Sequence, residues 1–565
     1  MMRKFKLVMI ALVMVCAQSA FSQTKTVTGV VTDASGTPLP SVSVLIKGTT
    51  TGTETDFDGN YTISGVTASS QLEFSFIGMV TQTITVGNQT TINVTMLDAT
   101  NTLDEVVVVG YGTQKKGLVT GANVNLKGED IEALNTSSAI EGLQGITAGV
   151  NITRNNGQPG AGTKVTIRGL GTNGNSNPLY IVDGIAVGNI DSLNASDIQN
   201  IDVLKDAASA AIYGSRAANG VILVTTRKGK KNRAAQISYN SYVGIQNVYK
   251  NLSPLNAQEY MYIMEEGFAN DGKPLPNWEN MLKSNTWLDN NFPNMLGTQL
   301  GTEIWDELQN GWTGTNWINE MVTEDTKVTN HSLNITGGGE DNTYAFGLSY
   351  FDQEGLIGHH ITNAGYKRLT ARMNTEFVLK KNDDHNIITL GQNLTYTNTE
   401  DRSIATGNIY WNDLHNALVQ NPFMPAYWQP AIDNNINEYG FTPTLDGLSD
   451  GQSNPLAVMF YRHNFNNLGN QSNQIIGNVY AEIEPMKDLK FKTVFGFDSW
   501  FGHSRSYSPT YALGLKYAST IDAASQSQWQ GLNLTFTNTL SYEKQLGDHK
   551  LSGVVGMEIF KNELN

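Results

Sequence analysis

The sequence predicts a mainly β protein: a small β-sandwich first, then a short α/β stretch, then the long antiparallel strands of a transmembrane barrel. Three observations carry that expectation. Apolar and polar side chains alternate over most of the chain after residue 26, the period of half-buried strands. Helical patterns in the first half are confined to a stretch after residue 117. From about residue 236 onward, the connections between strands are long and short by turns.

The chain begins with a targeting pattern. Arg3, Lys4 and Lys6 precede an apolar run, Leu7 to Cys16, and Ala20-Phe21-Ser22 supplies small residues for cleavage. Residues 1–22 therefore read as a secretory signal peptide, too short to span a bilayer as a helix. Cys16 is the only cysteine, and Val15 before it is too bulky for a lipoprotein cleavage site. The exported chain would lack disulfides, thiolate metal sites and cysteine nucleophiles. With 37 Lys and Arg against 52 Asp and Glu, the net charge is -15, and no basic stripe occurs. That balance argues against binding phosphate backbones.

Residues 23–99 alternate Thr, Val and Ile with polar residues, broken by turn clusters at the spacing of a sandwich. Asp56-Phe57-Asp58-Gly59 lacks the further ligands and late Glu of a calcium loop, so a hairpin turn is expected there. The string GVVTDASGTPLPSVSVLIKGTTTGTETDFDGNYTI resembles the carboxypeptidase regulatory-like domain. The resemblance implies an immunoglobulin-like fold without catalytic residues.

Residues 100–116 form a linker with the run Val106 to Val109 beside Asp104 and Glu105. Such a segment can add to a partner's sheet edge through main-chain hydrogen bonds, or be an ordinary edge strand. Residues 117–230 mix short helices and strands. Ser137 or Ser138 is positioned to cap a helix through Leu143, VTIRG and YIVDG read as strands, and DIQNIDVLKDAASAAIYGSRAANGVILVTT reads as strand, helix, strand. Together LQGITAGVNI, GQPGAGTKVTIRGLGT, PLYIVDGI and DIQNIDVLKDAASAAIYGSRAANGVILVTTRKGK resemble the plug domain of TonB-dependent outer-membrane transporters of the SusC/RagA family. Through that resemblance Asp104, Glu105, Val106, Val107, Val108 and Val109 become a TonB box, the strand an inner-membrane partner grips.

Gly169-Leu170-Gly171-Thr172-Asn173-Gly174 matches a dinucleotide fingerprint, but the following Asn-Ser-Asn-Pro cannot open the required helix. No Walker loop, nucleophile elbow or H-E-x-x-H occurs, so neither an enzyme nor a cofactor or metal site is expected.

Residues 231–565 alternate in nine segments, beginning with QISYNSYVGI and ending with HKLSGVVGMEIF. Tyr344, Phe346, Leu348 and Tyr350 share one face of the third, and Leu532, Leu534, Phe536, Leu540 and Tyr542 one face of the eighth, with Asn538 interrupting. Long excursions at about 249–326, 400–472 and 501–529, and a shorter one near 355–363, alternate with tight turns at 337–341, 381–384, 484–488 and 545–548. Barrels with long loops outside and short turns inside require that sorting, whereas a soluble sandwich does not. The overall expectation is thus mainly β with a small α/β plug. Since single-chain barrels are even-numbered, nine strands read as the first part of a truncated barrel, which in this family has about 22.

The resemblance also implies the working parts. TonB, driven through ExbB and ExbD, would pull on the plug from the periplasm, and a SusD-like surface lipoprotein would lid the outer mouth. Arg168 and Arg216 are candidate latches to barrel carboxylates, with Asp183 as an acidic counterpart in the plug; ordinary salt bridges inside one domain are the alternative. Trp278, Trp287, Trp305, Trp411 and Trp428 in the long excursions suit sugar faces, though interfacial belts and loop cores also collect Trp. The expected function is energised import of oligosaccharides across the bacterial outer membrane, with peptides as alternative cargo. Rival classes are a surface adhesin and a signal-transducing receptor.

Overall fold

The computed structural model describes residues 24–33, 36–49, 51–76, 79, 81–96, 106–109, 112–115, 123–134, 136–249, 252–283, 294–407, 412–443, 453–463, 470–513, 518–547 and 549–564. The expected signal peptide lies outside them, as do Asp104 and Glu105. The chain divides into two compact units, Met1–Val106 with Lys115–Leu118, and Val107–Gln114 with Val119–Asn565.

In the first unit, β1 (Lys25–Thr32), β4 (Asn60–Val66) and β7 (Val94–Thr95) form one sheet in the order β4-β1-β7. β2 (Ser43–Ile46), β3 (Gly52–Glu54), β5 (Gln71–Ser75) and β6 (Gln82–Thr85) form another in the order β3-β2-β5-β6. The period-two pattern sends Val27, Val31, Val44, Ile63, Leu72 and Phe74 into one core. Tyr61 meets Phe74 edge-on at 5.3 Å and donates its hydroxyl to the Ile92 carbonyl at 2.8 Å, so the buried phenol is satisfied. The Asp56–Gly59 segment is a turn, but β3 and β4 belong to different sheets, so it crosses the sandwich and is not a hairpin. The Asp56 carboxylate accepts the Asn60 and Asp58 amides at 2.8 and 3.0 Å. The Asn60 amide holds that carboxyl below its ordinary range.

β8 (Val106–Val109) and β9 (Gly112–Lys115) form a two-stranded sheet. In the second unit, β10 (Asn123–Lys127) leads into α1 (Gly128–Glu132). A hairpin of β11 (Val150–Arg154) and β12 (Thr163–Ile167) follows. Then come β13 (Leu179–Val182), β14 (Ile185–Val187), β15 (Ile198–Leu204), α2 (Ala207–Ala210) and β16 (Val221–Thr226). Five of these strands make a sheet in the order β10-β15-β16-β13-β14, in which only β13 and β16 are parallel. Ser137 and Ser138 cap nothing: Glu141–Leu143 is a single 3-10 turn without a side-chain cap, because Ser137 donates instead to the Glu141 carboxylate at 2.6 Å.

The remaining sheet has nine strands, all antiparallel neighbours. They are β17 (Arg233–Gln246), β18 (Thr326–Gly338), β19 (Asn342–Glu354), β20 (Gly365–Lys381), β21 (Asn386–Arg402), β22 (Asn470–Met486), β23 (Leu489–Ser508), β26 (Ala523–Leu546) and β27 (His549–Leu564). A short ladder of β24 (Tyr511–Ala512) and β25 (Ala518–Ser519) sits in the last excursion. Each expected strand is present, and several run longer. β23 and β26 pair from Leu489–Tyr542 to Ser508–Ala523, shrinking the expected 501–529 excursion to residues 509–522. Long and short connections alternate around the sheet.

Burial in this sheet is inverted relative to a soluble protein. On β19, Phe346, Leu348 and Tyr350 are exposed while Ala345, Ser349 and Phe351 are buried. On β26, Phe536 and Leu540 are exposed while Asn533, Thr535, Thr537 and Thr539 are buried. A polar inner face and an apolar outer face are the pattern of a barrel wall in lipid. Above it, α3 (Ala257–Asn270), α4 (Trp278–Lys283), α5 (Asn294–Gln309), α6 (Trp317–Met321), α7 (His359–Thr362), α8 (Asp413–Val419), α9 (Gln429–Asp433) and α10 (Pro455–His463) come from three different excursions. Residues of these excursions share one core that includes Leu300, Trp317, Phe423 and Met459.

Leu348 is 51% exposed, and an arginine at an ordinary exposed site costs within about 0.5 kcal/mol. In a lipid-facing wall, Leu348→Arg is expected to cost about 2–4 kcal/mol, read as loss of assembled, heat-modifiable protein from the membrane fraction.

Candidate functional site

A cavity of about 460 Å³ lies between the α/β domain and the nine-strand wall. Its wall side is made by inward positions close to the long excursions: Tyr366 and Arg368 early in β20, Thr397, Thr399 and Asp401 late in β21, Ser472 and Gln474 early in β22, Asp498 and Trp500 in β23. The α/β domain supplies three pieces of chain: 137–141, the β11–β12 hairpin tip at 160–162, and 188–192 after β14.

The hairpin tip is fitted to the wall. Gly160 has φ 71°, and a Cβ there would fall 2.2 Å from the Tyr366 ring, so the backbone lies directly on the aromatic face. Gln158 exchanges two hydrogen bonds with the backbone of Ile404, at 2.8 and 3.1 Å. Ser192 donates to Gln474 at 2.8 Å. Asp191 accepts the Thr163 hydroxyl at 2.7 Å, and burial pushes its carboxyl up despite that bond. Asp498 accepts from Gln474 at 2.8 Å and Asn533 at 3.4 Å, Asp401 from Asn470 at 3.1 Å, and Glu141 from Arg154 at 2.8 Å.

A buried ion pair also joins the domain to the wall. Arg372, on the inner face of β20, donates to Asp197 at 3.0 Å, to the Arg227 carbonyl at 2.6 Å and to Asn334 at 2.7 Å. Both charged side chains are essentially inaccessible. Gly347 on β19 makes the space, since a Cβ there would sit 2.4 Å from the Asp197 carboxylate. Asn374 donates to Thr226 at 2.6 Å and Asn478 to the Asp183 carbonyl at 3.0 Å. Ile185 presses on Gly496, and Ile476 of the wall joins the apolar core of the domain.

The residues singled out from sequence divide. Arg216 pairs with Glu558 of β27 and lies 4.8 Å from the Phe560 ring. Arg168 is exposed, with φ 57°, and takes no carboxylate partner among the described residues. Asp183 is no counterpart to either arginine: its carboxylate accepts the Thr226 amide and hydroxyl at 3.1 and 2.6 Å. Val106–Val109 form β8. The Gly169–Gly174 fingerprint runs through a turn into β13 and opens no helix.

Among the tryptophans, Trp278 and Trp428 are buried in the core of the excursions, with indole N–H groups satisfied by Glu265 and Glu303 at 2.7 Å each. They hold that cap together and present no face to a ligand. Trp305 packs against the same core, and Trp287 and Trp411 lie outside the described residues. Trp500, not singled out, is the indole at the cavity. Its signal was parity, since the alternation that exposes Phe495 puts Gly496, Asp498 and Trp500 on the other face. The same parity on β20 sends Arg368 and Arg372 inward.

Comparison with known proteins follows the two units. Residues 27–108 match the CarboxypepD_reg-like domain and residues 115–221 the TonB-dependent Receptor Plug Domain. The chain is 31% identical to TonB-dependent receptor P26 of Formosa agariphila over 535 residues, 94% of this chain and 48% of that protein. It is also 31% identical to TonB-dependent receptor SusC of Bacteroides thetaiotaomicron over 567 residues, 95% of this chain and 50% of that one. The chain therefore spans about half the length of the curated relatives it matches. In fold it resembles the RagAB peptide importer in its open-open state, with a TM-score of 0.64 and 23% identity, covering 81% of this chain and 49% of that one.

The geometry ranks the two ion pairs. Arg372→Met strands a buried carboxylate and is expected to cost about 3–5 kcal/mol, while Asp197→Leu added to it recovers most of that loss. Arg216 is one-third exposed, and Arg216→Ala is expected to cost under about 1 kcal/mol. Protease cleavage within residues 123–226 of the membrane-embedded protein, followed through a urea series, reads both.

Proposed function

We propose, from the premise that this chain belongs with the SusC/RagA kind of TonB-dependent receptors, that it serves energised import across the bacterial outer membrane. The α/β domain is the plug, the nine strands are barrel wall, and the cavity above the plug receives cargo from the side of the long loops. One observation carries this reading: an inside-out wall whose polar face is joined to a separate domain by buried hydrogen bonds and an ion pair, leaving a polar cavity on one side.

The outer membrane has no nucleotide supply, so work must arrive from elsewhere. TonB, coupled to the inner membrane through ExbB and ExbD, would pair with Asp104 to Val109, for which the strand-forming Val106–Val109 is suited. The pull reaches the plug at Asn123, the first residue of β10. β10 pairs with β15 from Asn123–Leu204 to Lys127–Asn200, three residues from Asp197. Stripping β10 therefore ends beside the Arg372–Asp197 pair, and loss of that pair frees the plug from the wall beneath the cavity.

Oligosaccharide is the favoured cargo. Trp500 offers a flat apolar face, and Thr399 and Ser472 offer hydroxyls. A SusD-like surface lipoprotein is the expected outer partner, facing the cap of helical excursions. The likeness in fold to the RagAB peptide importer keeps peptide cargo as the second reading.

Uptake of labelled oligosaccharide by cells producing the protein tests the reading. Deleting Val106–Val109 is expected to abolish uptake while surface binding persists, whereas an adhesin would be unaffected. Trp500→Ala is expected to weaken cargo binding by up to about tenfold, and Trp500→Phe to recover most of it.

A further inference from the structure

The acidic balance of the chain is broken at one short segment. Arg227-Lys228-Gly229-Lys230-Lys231-Asn232-Arg233 leads from β16, the last strand of the α/β domain, into β17, the first of the wall. It holds five cations in seven residues, in a chain of net charge -15. Two of the five face inward: Arg227 pairs with Glu132 at 2.7 Å, and Lys228 is within electrostatic reach of Lys492 on the inner face. Lys230, Lys231 and Arg233 are exposed and take no carboxylate among the described residues. The acids of the neighbouring β18–β19 turn are already taken, since Glu340 and Asp341 both bond Lys381 of β20, at 2.6 and 2.7 Å.

The segment is held against the wall. Gly229 lies on its backbone, where a Cβ would fall 2.5 Å from the Tyr344 nitrogen, and the Asn232 amide donates to the Gly339 carbonyl at 2.9 Å. Like charges fixed side by side repel, and a bound anion relieves that.

A second observation, independent of charge, places these cations at the edge of the lipid. Outward aromatic side chains gather near the short-turn ends of the wall: Tyr344 on β19, Phe377 on β20, Phe491 on β23 and Tyr542 on β26. Such girdles mark the level of lipid headgroups. The Tyr344 hydroxyl reaches across Gly337 toward β17, since a Cβ on Gly337 would fall 2.5 Å from that hydroxyl and 3.1 Å from the Ala235 Cα. Gly337 pairs with Tyr344, and Arg233 pairs with Gly338, one residue nearer the turn. The cations therefore stand at the girdle, where the anion within reach is a headgroup phosphate.

We propose that Lys230, Lys231 and Arg233 bind the phosphate of an anionic phospholipid in the leaflet on the short-turn side. The Arg233 guanidinium presents paired donors to two phosphate oxygens, and the two ammonium groups add point charge. The contact anchors the joint between plug and wall to the membrane, so that a pull entering at Asn123 works against a fixed end. This inference rests on the lipid-facing wall of the import reading and gives it a lipid partner.

Native mass spectrometry of the detergent-solubilised protein, titrated with equal amounts of dioleoylphosphatidylglycerol and dioleoylphosphatidylcholine, tests it. Singly lipid-bound protein is expected to hold the glycerol lipid about fivefold over the choline lipid, the gain from roughly one cation at a charged surface, although the net charge of the chain opposes any anion. Lys230→Gln with Lys231→Gln and Arg233→Gln should bring the ratio close to one, and Lys230→Arg with Lys231→Arg should keep it; heat-modifiable mobility confirms that each variant is assembled. A ratio near one in the unaltered protein, or a preference that the triple variant leaves unchanged, overturns the assignment and leaves import standing. Loss of the preference on adding inorganic phosphate at the lipid's own concentration gives the site to free phosphate and overturns the lipid. Cosedimentation with purified peptidoglycan that the triple variant loses, with a lipid ratio near one, overturns it in favour of the cell wall. Failure of the protein to float with vesicles of either lipid overturns the lipid-facing wall and this inference with it.

Discussion

Hydrocarbon offers a peptide group nothing to hydrogen-bond with, and that constraint organises the larger unit of this chain. Strands inside a bilayer must satisfy every amide and carbonyl against a neighbouring strand. The nine-strand sheet does so with ladders of up to twenty consecutive pairs between β23 and β26. Once the backbone is settled, side chains sort by solvent on each face. Phe346, Leu348, Phe536 and Leu540 go outward, and Ser349, Asn334, Thr370 and Thr535 go inward.

An inner face made of hydroxyls, amides and arginines cannot pack as an ordinary core, since each polar group withdrawn from water needs a partner. The plug supplies many of those partners. Arg372 finds Asp197 and the Arg227 carbonyl, Asn374 finds Thr226, Asn478 finds the Asp183 carbonyl, and Ile185 fills the space left by Gly496. On the import reading the plug comes away again, and attachment by polar contacts suits that. Hydrogen bonds exchange with water at modest net cost, whereas a continuous apolar interface of the same extent would not. The buried Arg372–Asp197 pair is the costly exception, and its place beside the β10–β15 ladder ties it to the segment through which force would enter.

Much of this architecture was legible in the sequence, for a physical reason. Alternation is local, so every wall strand could be read from its own ten residues, and the sorting of long and short connections followed. Strand lengths were underestimated because β23 runs on as Gly-His-Ser-Arg-Ser-Tyr-Ser and β26 begins as Ala-Ala-Ser-Gln-Ser-Gln, beyond the apolar belt, where little apolar alternation marks them. The site was less legible because its contacts are distant in sequence. Arg216 was found through its motif, but Glu558 as its partner depends on where β27 falls in the sheet. Trp278 and Trp428 were misplaced because excursions of such length can build a core of their own, and these indoles make it. Trp500 and Arg372 required combining strand parity with the identity of what lies inside the sheet.

The central claim is that the apolar face of this sheet meets lipid and its polar face meets the plug. Nitroxide labels on single cysteines at Phe536 and at Thr535, in a background where Cys16 is the only other cysteine, test it in native membranes by accessibility to oxygen and to a water-soluble nickel chelate. The account predicts high oxygen and low nickel accessibility at 536, and low accessibility to both at the buried position 535. Nickel accessibility at 536 equal to that of a label in an aqueous loop would contradict it.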